Sequence, residues 1–181
     1  MSFSAGPFHI LSYGTLLGTT FFQTAVNGIV AFKVLPRPQF AALMARVFPI
    51  YFAMQTVLPL VTALTYPAGA SAFGPDGGLG GVAGVLHPAN RWGVLAPLAS
   101  AALCALANLA VVGPATTKVM DARRQQEKKD GKKSYDAPPH SQEMLALNKQ
   151  FSMLHGISSL LNLSTFIATV AYGVTLGHRL A

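Results

Sequence analysis

Residues 148–163 contain the side chains in this sequence best suited to bind a small molecule or an ion inside a membrane. A long apolar run begins just after Lys149 and carries an imidazole, hydroxyls and an amide. His155 lies six residues beyond Lys149, or about 9 Å at 1.5 Å per helical residue. At 100° per residue, Ser159 and Asn162 fall near His155 on one helix face. We expect this polar stripe to face other helices or a wet cavity, because hydrocarbon leaves such groups without partners.

Amides on the other apolar segments are predicted to lie in the same half of the membrane. Asn27 precedes Lys33 by six residues, which also puts it about 9 Å from the basic edge. Asn108 precedes Lys118 by ten residues, or about 15 Å. We therefore predict one polar cluster in a helical bundle. Its members are Gln23, Asn27, Gln55, Asn108, His155, Ser159 and Asn162.

This predicted cluster has two interpretations. The first is hydrogen bonding between helices, typically about 0.6 kcal/mol per pair. The second is a ligand-binding site for a small solute or an ion, for which an intramembrane histidine is the usual indication. Carboxylates are absent from the apolar segments, so general acid/base pairs and hard-cation sites are disfavoured. Because no GxSxG, HExxH, CxxC or P-loop pattern occurs either, we predict that the protein is not an enzyme.

Cofactor binding is predicted to be absent, with two alternatives. His9 and His155 cannot clamp one haem, because they lie about 36 Å and about 9 Å from the basic edge. A haem held by His155 alone is the first alternative. A soft-metal path along Met54, Cys104, Met153 and His155 is the second, since thioether, thiol and imidazole are suitable ligands, although their spacing follows no known motif.

Charge-free windows predict the architecture. The 181 residues are 51% hydrophobic and only 10% charged, which is too few charges for an ordinary soluble domain. Four windows contain no Asp, Glu, Lys or Arg: 1–32, 47–75, 92–117 and 150–178. Each is long enough to hold the roughly 20 residues that span a bilayer. We predict an all-α polytopic membrane protein, one domain over residues 1–181 with four transmembrane helices in one bundle. The spans are 8–33, 48–66, 92–117 and 151–176, with a Gly-rich exterior loop at 67–91 and a basic cytosolic link at 118–150.

The distribution of cations predicts the orientation. Eleven of the 13 Lys and Arg residues fall in the links 33–46 and 118–149, and only Arg91 and Arg179 lie opposite. By the positive-inside rule both termini face the lumen or exterior. The bilayer therefore accounts for the net charge of +7, and no nucleic-acid partner is predicted. The endoplasmic reticulum or another secretory-pathway membrane is the expected location, with a mitochondrial membrane as the alternative.

The basic link is predicted to contain a charged helix that projects into the cytosol. The run 116–129 is compatible with a helix that ends at Asp130, because Gly131 suits the position after a helix. Ser141 can cap the lead-in to the last span. We expect this link to contact anionic lipid or a protein partner of a membrane complex. The expected contact residues are Arg123, Arg124, Lys128, Lys129, Lys132 and Lys133.

Motifs along nearly the whole chain carry a family resemblance. They are HILSYG at 9–14, FFQTAVNG at 21–28, LPRPQF at 35–40, FPIYF at 48–52, Asn108, GPAT at 113–116 and FSMLHGISSLLNL at 151–163. Together they resemble the transmembrane protein 205 family in a fungal-type version, from which the Gly-rich loop departs. The resemblance implies a four-helix membrane protein without an established enzyme activity. It also implies relatives linked to platinum-drug resistance and to vesicle trafficking.

Three functional hypotheses follow. In the first, a non-enzymatic membrane protein binds or passes a small solute or a soft metal through its polar cluster. In the second, the chain is a structural or accessory subunit, or a module that docks lipid or a partner through its basic link. The third is a redox protein that uses a haem on His155.

Overall fold

The computed structural model describes residues 5–67 and 79–180, and these residues form helices joined by short turns. No strand occurs in those two ranges. Four of the helices are long and apolar enough to cross a membrane, which confirms the predicted all-α membrane architecture. The helices are α1 (Gly6–Val34), α2 (Arg37–Leu64), α3 (Gly81–Leu86), α4 (Pro88–Asp130) and α5 (Gln142–Leu180).

Hydrogen bonds between helices show that neighbouring helices run in opposite directions. Ser12 of α1 pairs with Thr62 of α2, whereas Thr20, further along α1, pairs with the earlier Gln55. The contacts between α4 and α5 are antiparallel as well. The four long helices therefore form an up-and-down bundle. Its two ends are called the terminal end, where α1 begins and α5 ends, and the basic end, which carries both basic links.

Helix α2 is longer than predicted. In the sequence, Phe40, Leu43, Met44 and Val47 follow a helical spacing that favours a separate amphipathic helix at 39–46, before the span that starts at 48. The structure instead has one helix from Arg37 to Leu64. Pro38 in the first turn favours this start, since the missing N–H has no helical partner there. Pro49 inside the helix removes a single hydrogen bond, which the surrounding turns tolerate here.

Helices α4 and α5 also extend beyond the predicted spans at the basic end. About 20 residues cross the hydrocarbon, so the charged turns after residue 117 project beyond it. Helix α4 ends at Asp130, and Gly131 has a φ of 63°, which confirms the predicted stop. Ser141 Oγ accepts a hydrogen bond from the Met144 N–H at 3.1 Å, which confirms the predicted cap of α5.

The described part of the Gly-rich loop packs against the terminal end of the bundle. Helix α3 contributes Val85 to a buried apolar core, whose other members are Tyr66, Val94, Leu98, Tyr172 and Leu176. Residues 79–91, the second part of the predicted Gly-rich loop, are therefore folded onto the bundle. The sequence GPDGG at 74–78 is typical of a turn, and it lies outside the described residues.

Two π-helical turns interrupt the long helices in the basic half. One covers Phe22–Asn27 of α1, and the other covers Asn108–Val112 of α4. A π-turn holds one extra residue and often occurs at functional sites. These two turns contain three of the amides predicted to form the polar cluster: Gln23, Asn27 and Asn108.

Candidate functional site

A hydrogen-bonded cluster of amides and hydroxyls lies between α1, α2 and α5 in the basic half. Gln55 is at its centre, 0% exposed, and its Nε2 donates to the Tyr51 hydroxyl oxygen at 2.7 Å and to Thr20 Oγ1 at 3.2 Å. Tyr51 donates to Asn162 Oδ1 at 2.7 Å. Asn162 Nδ2 donates to Thr24 Oγ1 at 2.8 Å. We call these five residues the amide cluster, and it joins two of the predicted amides, Gln55 and Asn162.

The orientation of the Gln55 amide follows from its neighbours. Tyr51 donates its only hydroxyl proton to Asn162 Oδ1, so the Tyr51 oxygen accepts from Gln55 Nε2. Turning the Gln55 amide over would place two acceptor oxygens 3.2 Å apart, at Gln55 and Asn162. Gln55 Oε1 therefore points away from these partners. It is buried and has no hydrogen-bond partner among the described residues.

Asn108 presents a second buried amide oxygen of this kind. Its side chain is 0% exposed, and its Nδ2 donates to the main-chain oxygen of Ser158 at 3.2 Å. A carbonyl oxygen can only accept, so Nδ2 must lie on that side. Asn108 Oδ1 is left without a partner in the described part of the chain. Because buried polar atoms nearly always have partners, the two orphaned oxygens mark places where a hydrogen-bond donor can bind.

The two predicted amides of α1 form a separate pair. Asn27 Nδ2 donates to Gln23 Oε1 at 2.7 Å. Gln23 is buried, and its Nε2 lies 4.0 Å from the sulfur of Met44. The pair lies on the π-helical turn, on the basic side of Thr20. It therefore extends the polar face of α1 toward the basic end.

The structure corrects the predicted position of His155 and Ser159. Both are exposed on the outer side of α5. The His155 ring stacks on Phe151 with the ring centres 5.8 Å apart, and Ser159 Oγ donates to the His155 main-chain oxygen at 2.8 Å. Helix α5 instead buries the face that carries Thr165 and Tyr172, roughly 80–100° from His155. Ser159 bonds to its own helix, so it needs no partner from another helix. A haem on His155 would lie on this outer face.

A second polar cluster, which was not predicted, lies at the terminal end. His9 is fully buried, and its Nδ1 lies 2.9 Å from the main-chain oxygen of Thr62. A carbonyl only accepts, so the proton is on Nδ1, and Nε2 of the neutral ring accepts from the Tyr172 hydroxyl at 2.5 Å. Ser12 accepts from the Thr62 hydroxyl at 3.2 Å. The spacing of His9 and Ser12 on one helix face was visible in the sequence, but their partners were not.

Arg179 links the end of α5 to Tyr66, just after α2, and to Asn90 in the first turn of α4. Its Nη1 donates to the Tyr66 hydroxyl, and its Nη2 donates to Asn90 Oδ1 at 2.6 Å. Asn90 Nδ2 in turn donates to the main-chain oxygen of Gly84 at 2.8 Å. These contacts hold the folded part of the Gly-rich loop against the bundle. We use the name terminal cluster for His9, Ser12, Thr62, Tyr66, Asn90, Tyr172 and Arg179.

Two cations of the basic link make contacts within the protein. Arg123 Nε donates to Asn148 Oδ1 at 3.0 Å, and its guanidinium carbon lies 4.4 Å from the centre of the Phe151 ring. Lys132 Nζ donates to the main-chain oxygen of Pro139 at 2.8 Å. These two residues therefore stabilise the packing of α4, the link and α5, a role that the sequence did not indicate.

A carboxylate organises the turn after α4. Glu127 Oε1 accepts from the Ser134 hydroxyl at 2.6 Å and from the Ser134 N–H at 3.0 Å. Lys133 Nζ lies 3.5 Å from the other carboxylate oxygen. Burial would raise the pKa of Glu127, but these hydrogen bonds and the lysine charge together hold its pKa below the ordinary value. Glu127 is therefore ionised at neutral pH and fixes Lys133.

The remaining cations of the link face solvent. Arg124 pairs with Asp121 at 3.3 Å, and both side chains are more than half exposed. Lys128 and Lys129 are exposed in the last turn of α4. An ion pair at the surface contributes little stability, so Arg124 remains accessible to other anions. Lys128 and Lys129 are the best placed of the six predicted residues to contact anionic lipid or a partner.

Metal-ligand types do not gather in the described ranges. No group of three or more His, Cys, Asp or Glu side chains lies together within residues 5–67 and 79–180. Cys104 is half-buried in α4, and Met153 is exposed on α5. The predicted soft-metal path relies on two methionine sulfurs besides Cys104 and His155, so it stays a prediction.

Comparison with known proteins gives a family and a relative. Residues 11–125 match a family described as "Domain of unknown function (DUF4149)". The chain is also similar to "Xanthocillin biosynthesis cluster protein D" of Aspergillus fumigatus (strain ATCC MYA-4609 / CBS 101355 / FGSC A1100 / Af293). The two are 32% identical over 174 residues, which covers 96% of this chain and 90% of that relative. No solved structure matches the chain.

Proposed function

The chain belongs to the DUF4149 family, and from this premise and its geometry we propose a non-enzymatic integral membrane protein that binds a small, uncharged hydrogen-bond donor. The ligand-binding site is the amide cluster together with Asn108. The observation that carries the proposal is the pair of buried, orphaned acceptor oxygens, Gln55 Oε1 and Asn108 Oδ1. A buried acceptor without a donor costs about 1–3 kcal/mol, so a bound donor would stabilise the bundle.

The composition of the site supports an uncharged ligand. None of the six Asp and Glu residues falls within 5–67 or 79–120, so the spans offer no counter-charge to a cation. Burying an unpaired charge in a membrane is costly. A soft metal would prefer sulfur or imidazole ligands, whereas the amide cluster presents amides and hydroxyls. A neutral molecule with N–H or O–H groups fits these oxygens best.

We also propose that the amide cluster binds its ligand without catalysing a reaction. The amide cluster holds amides, hydroxyls and one phenol, and its five members include no imidazole, thiol or carboxylate to act as a general base. The motifs that resemble the transmembrane protein 205 family likewise imply no established enzyme activity. The A. fumigatus relative is named for a biosynthesis cluster, which supports a role with a small molecule.

We expect acetamide, which carries two N–H donors, to stabilise the purified protein. A ligand that binds only the folded state raises the unfolding temperature with concentration, in proportion to ln(1 + [L]/Kd). The measurement is thermal unfolding followed by tryptophan and tyrosine fluorescence in a neutral detergent. N,N-dimethylacetamide, which lacks N–H donors, is the matched control and should give no rise. The variant Gln55→Leu/Asn108→Leu should lose the response to acetamide. Equal responses to the two amides, or an unchanged response in the variant, would refute the proposed site.

Docking of anionic lipid by the basic link is a second proposed function. The supporting observation is that Lys128 and Lys129 are exposed, whereas Arg123 and Lys132 are engaged within the protein. A basic residue near an anionic membrane contributes roughly 1 kcal/mol to the binding free energy. Two lysines should therefore raise the affinity for the membrane roughly 30-fold. The bound surface would be a second membrane or an anionic partner.

We expect Lys128→Gln/Lys129→Gln to weaken binding of nanodisc-embedded protein to phosphatidylserine vesicles by roughly tenfold or more at low salt. The measurement is vesicle co-flotation at two salt concentrations, because the lysine effect should shrink as salt screens it. The matched control is Lys33→Gln, which removes one cation next to the membrane at the same end. Equal binding by wild type and the double variant would contradict the lipid contact.

A further inference from the structure

The buried face of α1 is polar at both ends and apolar at its middle. Together with Leu16, these polar residues form a series spaced by three or four residues, and each of the polar ones is at most 8% exposed: His9, Ser12, Thr20 and Gln23. Leu16 lies midway between Ser12 and Thr20 on the same face and is 0% exposed. Eight residues of helix separate Ser12 from Thr20, which is about 12 Å. One leucine side chain therefore separates the polar residues of the two clusters on this helix.

The buried face of α2 repeats this arrangement. Thr62 pairs with Ser12 at the terminal end, and Gln55 pairs with Thr20 in the basic half. Between them, the buried Pro59 lies at the level of Leu16. Because the two helices are antiparallel, these pairs fix the level of every residue between them. The separating layer consequently contains a proline as well as a leucine.

Pro59 adds a hydrogen-bond acceptor and a hinge to the layer that Leu16 and Pro59 form between the two clusters. Proline has no N–H, so the main-chain oxygen of Gln55, four residues earlier, lacks its helical donor. This oxygen lies next to the layer, on the residue whose side-chain Oε1 is also orphaned. Helices bend most readily at such positions. Interrupted helices near the bilayer midplane are also how many transporters form their substrate sites.

Helix α5 continues the polar face through the same layer. Thr165 and Thr169 are at most 1% exposed and lie between Asn162 of the amide cluster and Tyr172 of the terminal cluster. Their hydroxyls donate to oxygens of their own helix, at 3.1 Å for Thr165 and 2.8 Å for Thr169. Each hydroxyl oxygen can still accept a hydrogen bond. Polar atoms therefore line α5 on both sides of the Leu16 level.

We propose that the protein passes a small, uncharged hydrogen-bond donor between the amide cluster and the terminal cluster, with Leu16 as the gate and Pro59 as the hinge. This inference rests on the proposed function, since the amide cluster is its binding site on the basic side. The Leu16 side chain fills the layer, so the described conformation is closed. Bending at Pro59 moves α2 away from Leu16. The solute then gives up its hydrogen bonds to the Gln55 oxygens and forms new ones with the hydroxyls of Thr62 and Ser12.

The experiment measures acetamide entry into proteoliposomes by stopped-flow light scattering. Leu16→Ala should raise the protein-dependent rate by roughly tenfold, because it removes the side chain that fills the layer. Leu16→Val, which changes the core less and so keeps the test valid if the alanine variant misfolds, should give a smaller rise. The matched control is Leu17→Ala, since Leu17 lines an apolar groove on the outer side of α1 and α5. It should leave the rate unchanged.

A second comparison separates the gate from the binding site. Adding Gln55→Leu to Leu16→Ala should abolish the rise, because the route runs through the amide cluster. If both Leu16 variants match wild type while acetamide still raises the unfolding temperature, the gate is overturned and the binding site stands. If the flux of Leu16→Ala survives Gln55→Leu, the solute takes another path and the inference is overturned. If acetamide neither binds nor passes, the proposed function fails as well.

Discussion

Replacing His9 with alanine should lower the free energy of unfolding by about 2–6 kcal/mol. The ring is fully buried and satisfies two groups, the Thr62 main-chain oxygen and the Tyr172 hydroxyl. Each group left unpaired costs roughly 1–3 kcal/mol. Thr62 lies in the last turn of α2, where main-chain oxygens lack helical donors, so His9 also caps that helix. The measurement is thermal or detergent-titrated unfolding in micelles.

The matched control is His155→Ala. This histidine is exposed and stacks on Phe151, and no other helix depends on its ring nitrogens in the described structure. Surface substitutions usually change stability by less than about 0.5 kcal/mol. We therefore expect the His155 variant to unfold close to wild type. Equal destabilisation by the two histidine variants would contradict the assignment of His9 to the core and of His155 to the surface.

Replacing Arg179 with alanine should destabilise the protein by about 2–4 kcal/mol, less than two fully buried charged hydrogen bonds would contribute, because this side chain is only half-buried. The guanidinium donates to the Tyr66 hydroxyl and to Asn90 Oδ1, and hydrogen bonds to charged groups contribute roughly 1.5–3 kcal/mol each. Without it, the turn at Asn90 loses its connection to α5. We expect residues 79–90 to become sensitive to protease before the bundle unfolds. Limited proteolysis followed by mass spectrometry measures this local loss, and calorimetry measures the global one.

The control for this prediction is Arg91→Ala. Arg91 carries the same charge at the same end of the bundle, but it is exposed, with its guanidinium carbon 5.8 Å from the Trp92 ring centre. Such an exposed contact contributes roughly 0.5–1 kcal/mol. Cleavage within 79–90 should therefore not increase in the Arg91 variant. Similar protease sensitivity in both arginine variants would show that charge at this end matters more than the specific contacts of Arg179.

The bundle could be predicted from the sequence because the bilayer constrains it strongly. Charge-free windows of sufficient length identified the four spans, and Gly131 and Ser141 marked the ends of α4 and the start of α5. These signals are local, since a left-handed glycine or a capping hydroxyl acts on its own helix. The start of α2 was missed for a physical reason. Pro49 weakens a helix without ending it when the turns on both sides continue.

The positions of the site residues could be predicted only in part. Gln55 and Asn162 lie together as expected, because both are on buried helix faces. His155 was assigned to the wrong side of α5, since packing faces in membranes need not be the most polar ones. The buried Thr165 and Tyr172 lie roughly 80–100° around α5 from His155.

The terminal cluster could not have been found from periodicity. Its members come from four separate segments, and Asn90 lies just after a Gly-rich stretch that carries no helical signal. Only tertiary packing brings Asn90 and Arg179 to Tyr66. In the sequence, Arg179 is simply one of two cations on the predicted exterior side. The structure gives it a specific role in packing at that end.

A cryo-EM density map of the protein in a nanodisc, at a resolution that shows ordered water, would reveal whether the two orphaned oxygens bind a donor. We expect density about 2.7–3.2 Å from Gln55 Oε1 and from Asn108 Oδ1, as a bound donor requires. Finding both oxygens paired with protein donors, in a core filled by side chains alone, would contradict the proposed ligand-binding site.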